Sequence, residues 1–334
     1  MKSGSNLERV LTAGHFAVTG ELGPPMSCDA QAVREKADIL KGSVDAVNIT
    51  DNQTAVVRMS SIASAVIVLA QGAEPVMQMT TRDRNRIAIQ ADILGAAALG
   101  MKNCLCIAGD HQSFGSAGRL KGHPGAKNVY DIDSIQLVNI LKIMRDEGLQ
   151  QGGDPIAIPP KLFIGAAWTP MGDPVQFRVT RLAKKAAAGA DFIQTQGVYD
   201  IEQFAKTMKD VCSRGLHEKT AILMGIIVPK AAGMLRYMNK FVAGVSVPDE
   251  MIKRFPSIKK DMPDDEKAQA RAESAEMGKK VAIELIEQAR EIPGVRGVHI
   301  QGIEWEEVVP EVVQGAGLLP RPDVGTDESP QEDQ

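Results

Sequence analysis

The sequence predicts an α/β protein folded as a closed (β/α)8 TIM barrel. Short apolar runs rich in β-branched residues alternate from end to end with segments of helical periodicity. There are eight such runs, the number a closed barrel needs. The turn after the first is Gly23-Pro24-Pro25, not the Gly-x-Gly-x-x-Gly turn of an open dinucleotide-binding sheet. The strands are read at 16–22, 44–49, 75–79, 104–107, 162–166, 192–196, 221–227 and 298–301. Helices are read at 29–40, 59–70, 85–99, 132–147, 175–188, 201–211 and 266–290, each with an apolar stripe beside charged positions. Asp29 and Asp200 suit helix N-caps, while Gly100 and Gly189 suit the left-handed residue that ends a helix.

One domain is expected over residues 1–320. Within it, the Gly- and Ser-rich stretch 109–129, carrying His111 and His123, is a long loop and a candidate lid. Stretch 241–265 delays the last helix and predicts a short extra helix beside the barrel mouth. The acidic, Pro-containing tail 321–334 has almost no apolar residue and is expected to be disordered.

A formal charge of -4 with mixed signs argues against a nucleic-acid or anionic-membrane surface and leaves a small-molecule substrate. Four scattered cysteines, Cys28, Cys104, Cys106 and Cys212, form no disulfide framework, which suits the cytoplasm. Cys104-Leu105-Cys106 reads as core, and the five histidines lack metal-ligand spacing, so no metal is expected. No apolar run approaches the ~18 residues of a membrane span.

In a barrel, chemistry sits where strands end. Glu21 closes the first strand among apolar neighbours, a setting that suits a proton-delivering acid; the alternative is a structural carboxylate capping a loop. Asn48-Ile49-Thr50-Asp51-Asn52 closes the second strand. Asp110 follows Gly109 after the fourth, either as a ligand contact or as a turn former. Gln194-Thr195-Gln196 closes the sixth; one glutamine is expected to face the interior and the other to pack against helices. An amide there offers a donor and an acceptor to a planar heterocycle. Three arginines in Thr81-Arg82-Asp83-Arg84-Asn85-Arg86 form either an anion site at a helix start or, for two of them, a solvated, self-paired face.

Taken together, Gly20-Glu21-Leu22-Gly23-Pro24-Pro25, Asn48-Ile49-Thr50-Asp51-Asn52, Met79-Thr80-Thr81-Arg82-Asp83-Arg84-Asn85, Gly109-Asp110, Gly189-Ala190-Asp191-Phe192-Ile193-Gln194-Thr195-Gln196 and Gly297-Val298-His299 resemble the methylenetetrahydrofolate reductase family over roughly residues 8 to 320. Val129-Tyr130-Asp131-Ile132-Asp133-Ser134 is similar to its branch in anaerobic and acetogenic bacteria and archaea. The resemblance implies flavin-dependent reduction of 5,10-methylenetetrahydrofolate to 5-methyltetrahydrofolate. Glu21 would be the general acid, Asp110 a catalytic and folate-binding carboxylate, and Gln196 the amide holding the pterin. It places the flavin along Thr50, Asp51, Asn52, Gln78, Gly109, Tyr130, Asp133, Ala166 and Lys185, with FAD as the cofactor and FMN as the alternative. Gln78 and Ala108 replace a family His and Arg, and Arg178 or a near neighbour replaces an Asp; all three changes concern the dinucleotide end of the flavin. The stretch 225–233 lacks the family's nicotinamide-stacking aromatic. NAD(P)H or ferredoxin, through a zinc or iron–sulfur partner subunit in a homo- or hetero-oligomer, is therefore the expected electron source. Two readings compete: a methyltetrahydrofolate-binding methyltransferase barrel without flavin, and a non-catalytic redox-docking subunit.

Overall fold

In a computed structural model of the chain, eight parallel strands close into a barrel in chain order, the last bonded back to the first. They are β1 (Ala17–Leu22), β2 (Ala46–Ile49), β3 (Pro75–Thr80), β4 (Asn103–Ile107), β5 (Phe163–Trp168), β6 (Phe192–Gly197), β7 (Ala221–Ile227) and β8 (Val295–Gln301). A short helix α1 (Asn6–Thr12) precedes them. The outer ring is α2 (Ala30–Leu40), α3 (Ser61–Ala70), α4 (Arg86–Ala98), α5 (Ser134–Asp146), α6 (Gln176–Ala188), α7 (Ile201–Ser213), α8 (Ala232–Phe241), α9 (Asp249–Lys253), α10 (Asp264–Arg290) and α11 (Val308–Gly315). The structure describes residues 1–113, 122–258 and 261–325. Residues 114–121 of the expected lid and 326–334 of the expected disordered tail lie outside the described residues. At the start of that tail, Arg321 donates to both carboxylate oxygens of Asp45. Among the described residues no helix is long and apolar enough to cross a membrane.

Capping follows the sequence. Asp29 accepts from Gln31 N and Ala32 N, Asp200 accepts from Gln203 N, and Gly189 ends α6 at φ 113°. The delay after β7 holds α8 and the short α9, the second of which matches the extra helix expected over 241–265.

Alternation along the strands divides the barrel interior into layers. At the amino-terminal end Ala17, Ala46, Val76, Leu105, Phe163, Phe192 and Leu223 form an apolar plug, closed beneath by Leu7, Val10 and Leu11 around α1. Phe163 and Phe192 stack there with centroids 5.2 Å apart. A Cβ at residue 165 would lie 2.3 Å from the Phe192 ring, so the plug requires Gly165. Above it lies a buried polar layer of Thr19, Asn48, Gln194 and His299, one each from β1, β2, β6 and β8. Higher still, at the carboxyl ends, Glu21, Gln196 and Gln301 face the mouth.

These layers correct one expectation. Gln194 and Gln196 are two residues apart and share a face of β6, so both line the interior and neither packs against the helices. Cys104 and Cys106 are fully buried in the core, as read from the sequence.

Candidate active site

The barrel mouth holds a cavity of about 170 Å³. Asn48, Gln78, Gln194, Gln196 and Gln301 give it five amides and Leu105 and Ile107 an apolar side; among the described residues, Glu21 and His299 are its only titratable side chains. Glu21 reaches the mouth because β1 ends there, in register with Asn48 of β2. Its carboxylate is 18% exposed and lies 3.7 Å from His299 Nε2. Amides are neutral and offer both donors and acceptors, so the walls suit a polar heterocycle, while a single carboxyl supplies the acid–base chemistry.

A register shift in the β6–β7 pairing falls between Gln194 and Gly197 and helps to aim Gln196. Gly225 of β7 makes room for it: a Cβ there would lie 2.2 Å from Thr195 O. The Gly225 N–H donates to Thr195 Oγ1 at 2.8 Å.

An adjoining cavity of about 360 Å³ shares Ile107, Ala167, Trp168 and Thr169 with the first and continues over β4 and β5 toward α6. Its charged residues are Arg178, Arg181 and Lys185. Spaced at i, i+3 and i+7, they occupy one face of α6. None pairs with a carboxylate among the described residues. Arg178 donates to the carbonyls of Gly172 and Asp173, and Lys185 to that of Ala167. Desolvation, reinforced by the Arg181 charge, lowers the Lys185 ammonium from 10.5 to about 8. Three cations without a carboxylate make a cavity suited to a phosphate. A larger cavity of about 510 Å³ lies outside the barrel between α7, α9 and α10; its guanidinium, Arg254, is bound to Glu284 at 2.6 Å.

The remaining residues singled out in the sequence divide between cavity, rim and core. Glu21, Gln78, Gln196 and Lys185 line the two cavities. Ala166 does not: its side chain is fully buried between barrel and helices, and alternation puts Ala167 at the cavity instead. Asp51 likewise turns away, its carboxylate accepting from Thr80 N and Oγ1 at 3.0 Å and from Arg84 Nη1 at 2.7 Å. Asp133 is spent as the N-cap of α5, in a capping box with Gln136. Thr50 donates to Gln53 Oε1, and Asn52 accepts from Arg58 N.

Asp110 stands at the rim, exposed, accepting from the Thr54 N–H at 3.0 Å. Arg82 binds this rim together: it donates to the carbonyls of Asp110 and Asn52 and pairs with Asp83. Tyr130 Oη donates to Gly109 O at 3.2 Å. Gly109, at φ 84°, would place a Cβ 3.1 Å from Thr80. Four left-handed non-glycine residues, Asn52, Thr54, Ala55 and Tyr130, belong to these rim segments.

The arginine run corrects a second expectation. All three are paired, Arg82 with Asp83, Arg84 with Asp51 and Asp92 and Arg86 with Asp131, but Arg82 is buried and Arg84 largely so, which leaves one solvated arginine, Arg86, rather than two. Sequence reasoning passed over Thr19, Gln301, Trp168 and Arg181, and read His299 only as part of a motif.

No curated protein matches the chain. Among solved structures, a Clostridium thermocellum protein, described as uncharacterised and as binding two copies of 5-methyl-5,6,7,8-tetrahydrofolic acid, superposes with a TM-score of 0.58 at 14% identity, covering 92% of this chain and 97% of its own. A 2,3-dimethylmalate lyase of the PEP mutase/isocitrate lyase superfamily follows at a TM-score of 0.47 and 14% identity, over 98% and 91% of the two chains. At 14% identity the likeness to the C. thermocellum protein speaks for the barrel alone. The profile of the methylenetetrahydrofolate reductase family matches residues 6–317, nearly the whole chain. The chain belongs to the methylenetetrahydrofolate reductase family.

Proposed function

We propose that this protein reduces 5,10-methylenetetrahydrofolate to 5-methyltetrahydrofolate with a bound flavin, and that Glu21 is the general acid. The observation that carries this reading is a lone carboxyl facing an amide-lined cavity at the carboxyl end of the barrel. Family membership and the methyltetrahydrofolate bound by the C. thermocellum protein support it.

The residues fit a flavin. Ile107, Ala167 and Trp168 give an apolar wall between the two cavities, and Arg178, Arg181 and Lys185 would hold its phosphate. FAD is the proposed form and FMN the alternative. When bound and reduced, the flavin supplies the hydride. Glu21 protonates the bridging folate nitrogen, so the five-membered ring opens and leaves a methylene iminium carbon as the hydride acceptor. Gln196, with Gln194 and Gln78, holds the donor–acceptor edge of the pterin and fixes that carbon. Asp110, oriented by the Thr54 N–H, adds negative charge at the rim near flavin and folate. Electrons enter from NAD(P)H or ferredoxin, through a partner subunit with zinc or iron–sulfur centres.

The purified protein is expected to be yellow or to take up flavin. Glu21→Gln is expected to lower folate reduction by about 10²–10⁴-fold while the flavin stays bound and reducible by an artificial donor. A colourless protein that cannot be reconstituted would overturn the reading in favour of a flavin-free, methyltetrahydrofolate-binding methyltransferase barrel.

A further inference from the structure

On the folate reading given above, we propose that the Gln301 side-chain amide binds the substrate heterocycle beside the atom that Glu21 protonates. Gln301 thereby selects and holds the folate and takes no part in holding the flavin.

Its place follows from strand register. β8 lies against β1, where Thr19 pairs with His299 and Gly20 with Ile300. One step further Glu21 stands beside Gln301, and alternation turns both side chains to the interior, above Thr19 and His299. On its other side the Gln301 backbone is fixed by β7: it pairs with Ile227, and its carbonyl accepts from Val228 N at 3.0 Å. The chain then turns at once. A Cβ at residue 302 would lie 2.3 Å from Trp305 O, so the turn requires Gly302. Lys36 straps this turn to the one after β1, its ammonium donating to Gly23 O at 3.1 Å and pairing with the buried Glu306. Glu21 and Gln301 are thus held side by side, by paired strands below and by an ion pair at the loops.

The bonding pattern separates this layer from the one beneath it. Thr19, Asn48, Gln194 and His299 bond one another. At the mouth, among the described residues, the Glu21 carboxyl and the amides of Gln78 and Gln301 hydrogen-bond to no protein group, and Gln196 uses only its oxygen, on Gly197 N. Gln78 is 9% exposed and Gln301 half-buried, so these open amides have lost much of their water. Buried polar groups are bonded as a rule, and a set left open around one cavity points to a polar ligand that completes it.

Topology says which ligand reaches Gln301. In a closed barrel of eight strands, β8 and β1 stand opposite β4 and β5. The second cavity and its three cations lie over β4, β5 and α6, which draws the phosphate end of the flavin to the far side. The ring that meets Glu21 is the one that meets Gln301. A primary amide both donates and accepts, so it matches the ring N–H and carbonyl groups of a reduced pterin where an apolar side chain would leave them unbonded.

Binding of 5-methyltetrahydrofolate, measured by titration calorimetry on the purified chain with flavin supplied, tests the proposal without turnover. Gln301→Met keeps the length of the side chain and removes both donor and acceptor. Its affinity for the folate is expected to fall about 10–100-fold. In the reductase assay KM for folate is expected to rise by a similar factor, with kcat changed less than about threefold. Flavin affinity, dye-driven flavin reduction and the urea midpoint should stay at their wild-type values. Equal folate affinity in the two proteins would overturn the proposal, and so would a loss of flavin affinity as large as that of folate, the mark of a structural disturbance. Wild type that binds no folate overturns the folate reading and the role of Gln301 with it. Wild type that binds folate without reducing it overturns the proposed reaction alone, and the titration still decides Gln301.

Discussion

Lys185 makes the second cavity sensitive to pH in a range that can be measured. The residue is buried, and burial lowers its ammonium from 10.5 to about 8, the Arg181 charge adding to the effect. A group at about 8 is roughly nine-tenths charged at pH 7 and one-tenth charged at pH 9. If the bound phosphate requires the charged form, affinity should fall about tenfold between those pH values, or about 1.4 kcal/mol. The arginines stay charged and a phosphate monoester is already dianionic above pH 7, so the change belongs to Lys185. The sign for stability is opposite. A cation whose folded value is lowered weakens the ligand-free fold by ~3 kcal/mol below about 8, and that penalty is relieved as pH rises toward 10.5. Binding of FMN and FAD, followed by quenching of flavin fluorescence from pH 7 to 9, is the assay, and urea unfolding of the ligand-free protein gives the companion measurement. Lys185→Met keeps the volume and removes the charge; it should bind flavin more weakly at pH 7 and show no fall above it. The same pH dependence in wild type and Lys185→Met would refute the reasoning.

Three further outcomes follow from the rim and the strands. Asp51→Asn removes the charge partner of the largely buried Arg84, leaving it with Asp92 at 3.0 Å, and should cost about 3 kcal/mol, read as a lowered urea midpoint. Gly225→Ala drives a methyl group into Thr195 O and the Gln196 backbone; it should destabilise by about 3 kcal/mol and raise KM for folate more than it lowers kcat, because Gln196 is displaced. Thr54, a β-branched residue at φ 56°, is strained, so Thr54→Gly should stabilise by ~1 kcal/mol in the same unfolding assay.

The barrel was legible because each strand and helix writes its own period into the chain. Its misses have local causes. β8 begins three residues earlier than read, since Arg296 and Gly297 interrupt its apolar run, while Val295 and Gly297 pair with β7 and Gly297 with β1. α8 went unread although Leu235 and Met238 are buried, because Ala231 supplies no side-chain cap to mark its start. α1 has seven residues, too few to show a helical period. Strand-end chemistry was legible where one residue suffices, as with Glu21, and illegible where it needs closure. His299 meets Thr19 across 280 positions of sequence, and Asn48 meets Gln194 across 146. A lone histidine between Val298 and Ile300 reads as core. Lys185 sits on the buried stripe of α6, and only the turn of its long side chain toward Ala167 O brings it to the cavity.

The same closure explains how the barrel tolerates a polar interior. An isolated amide or imidazole between apolar layers costs several kcal/mol unless it is bonded. Here the apolar plug of Phe163, Phe192, Leu223 and the α1 side chains lies below the polar layer and excludes water from that end. Thr19, Asn48, Gln194 and His299 then satisfy one another almost completely. Stability is drawn from the layer farthest from the mouth, which leaves the upper layers free to be chosen for chemistry. A substitution in the plug should therefore lower the unfolding midpoint with little effect on kcat, whereas one in the polar layer, which borders the cavity through Asn48, Gln194 and His299, should alter kcat first.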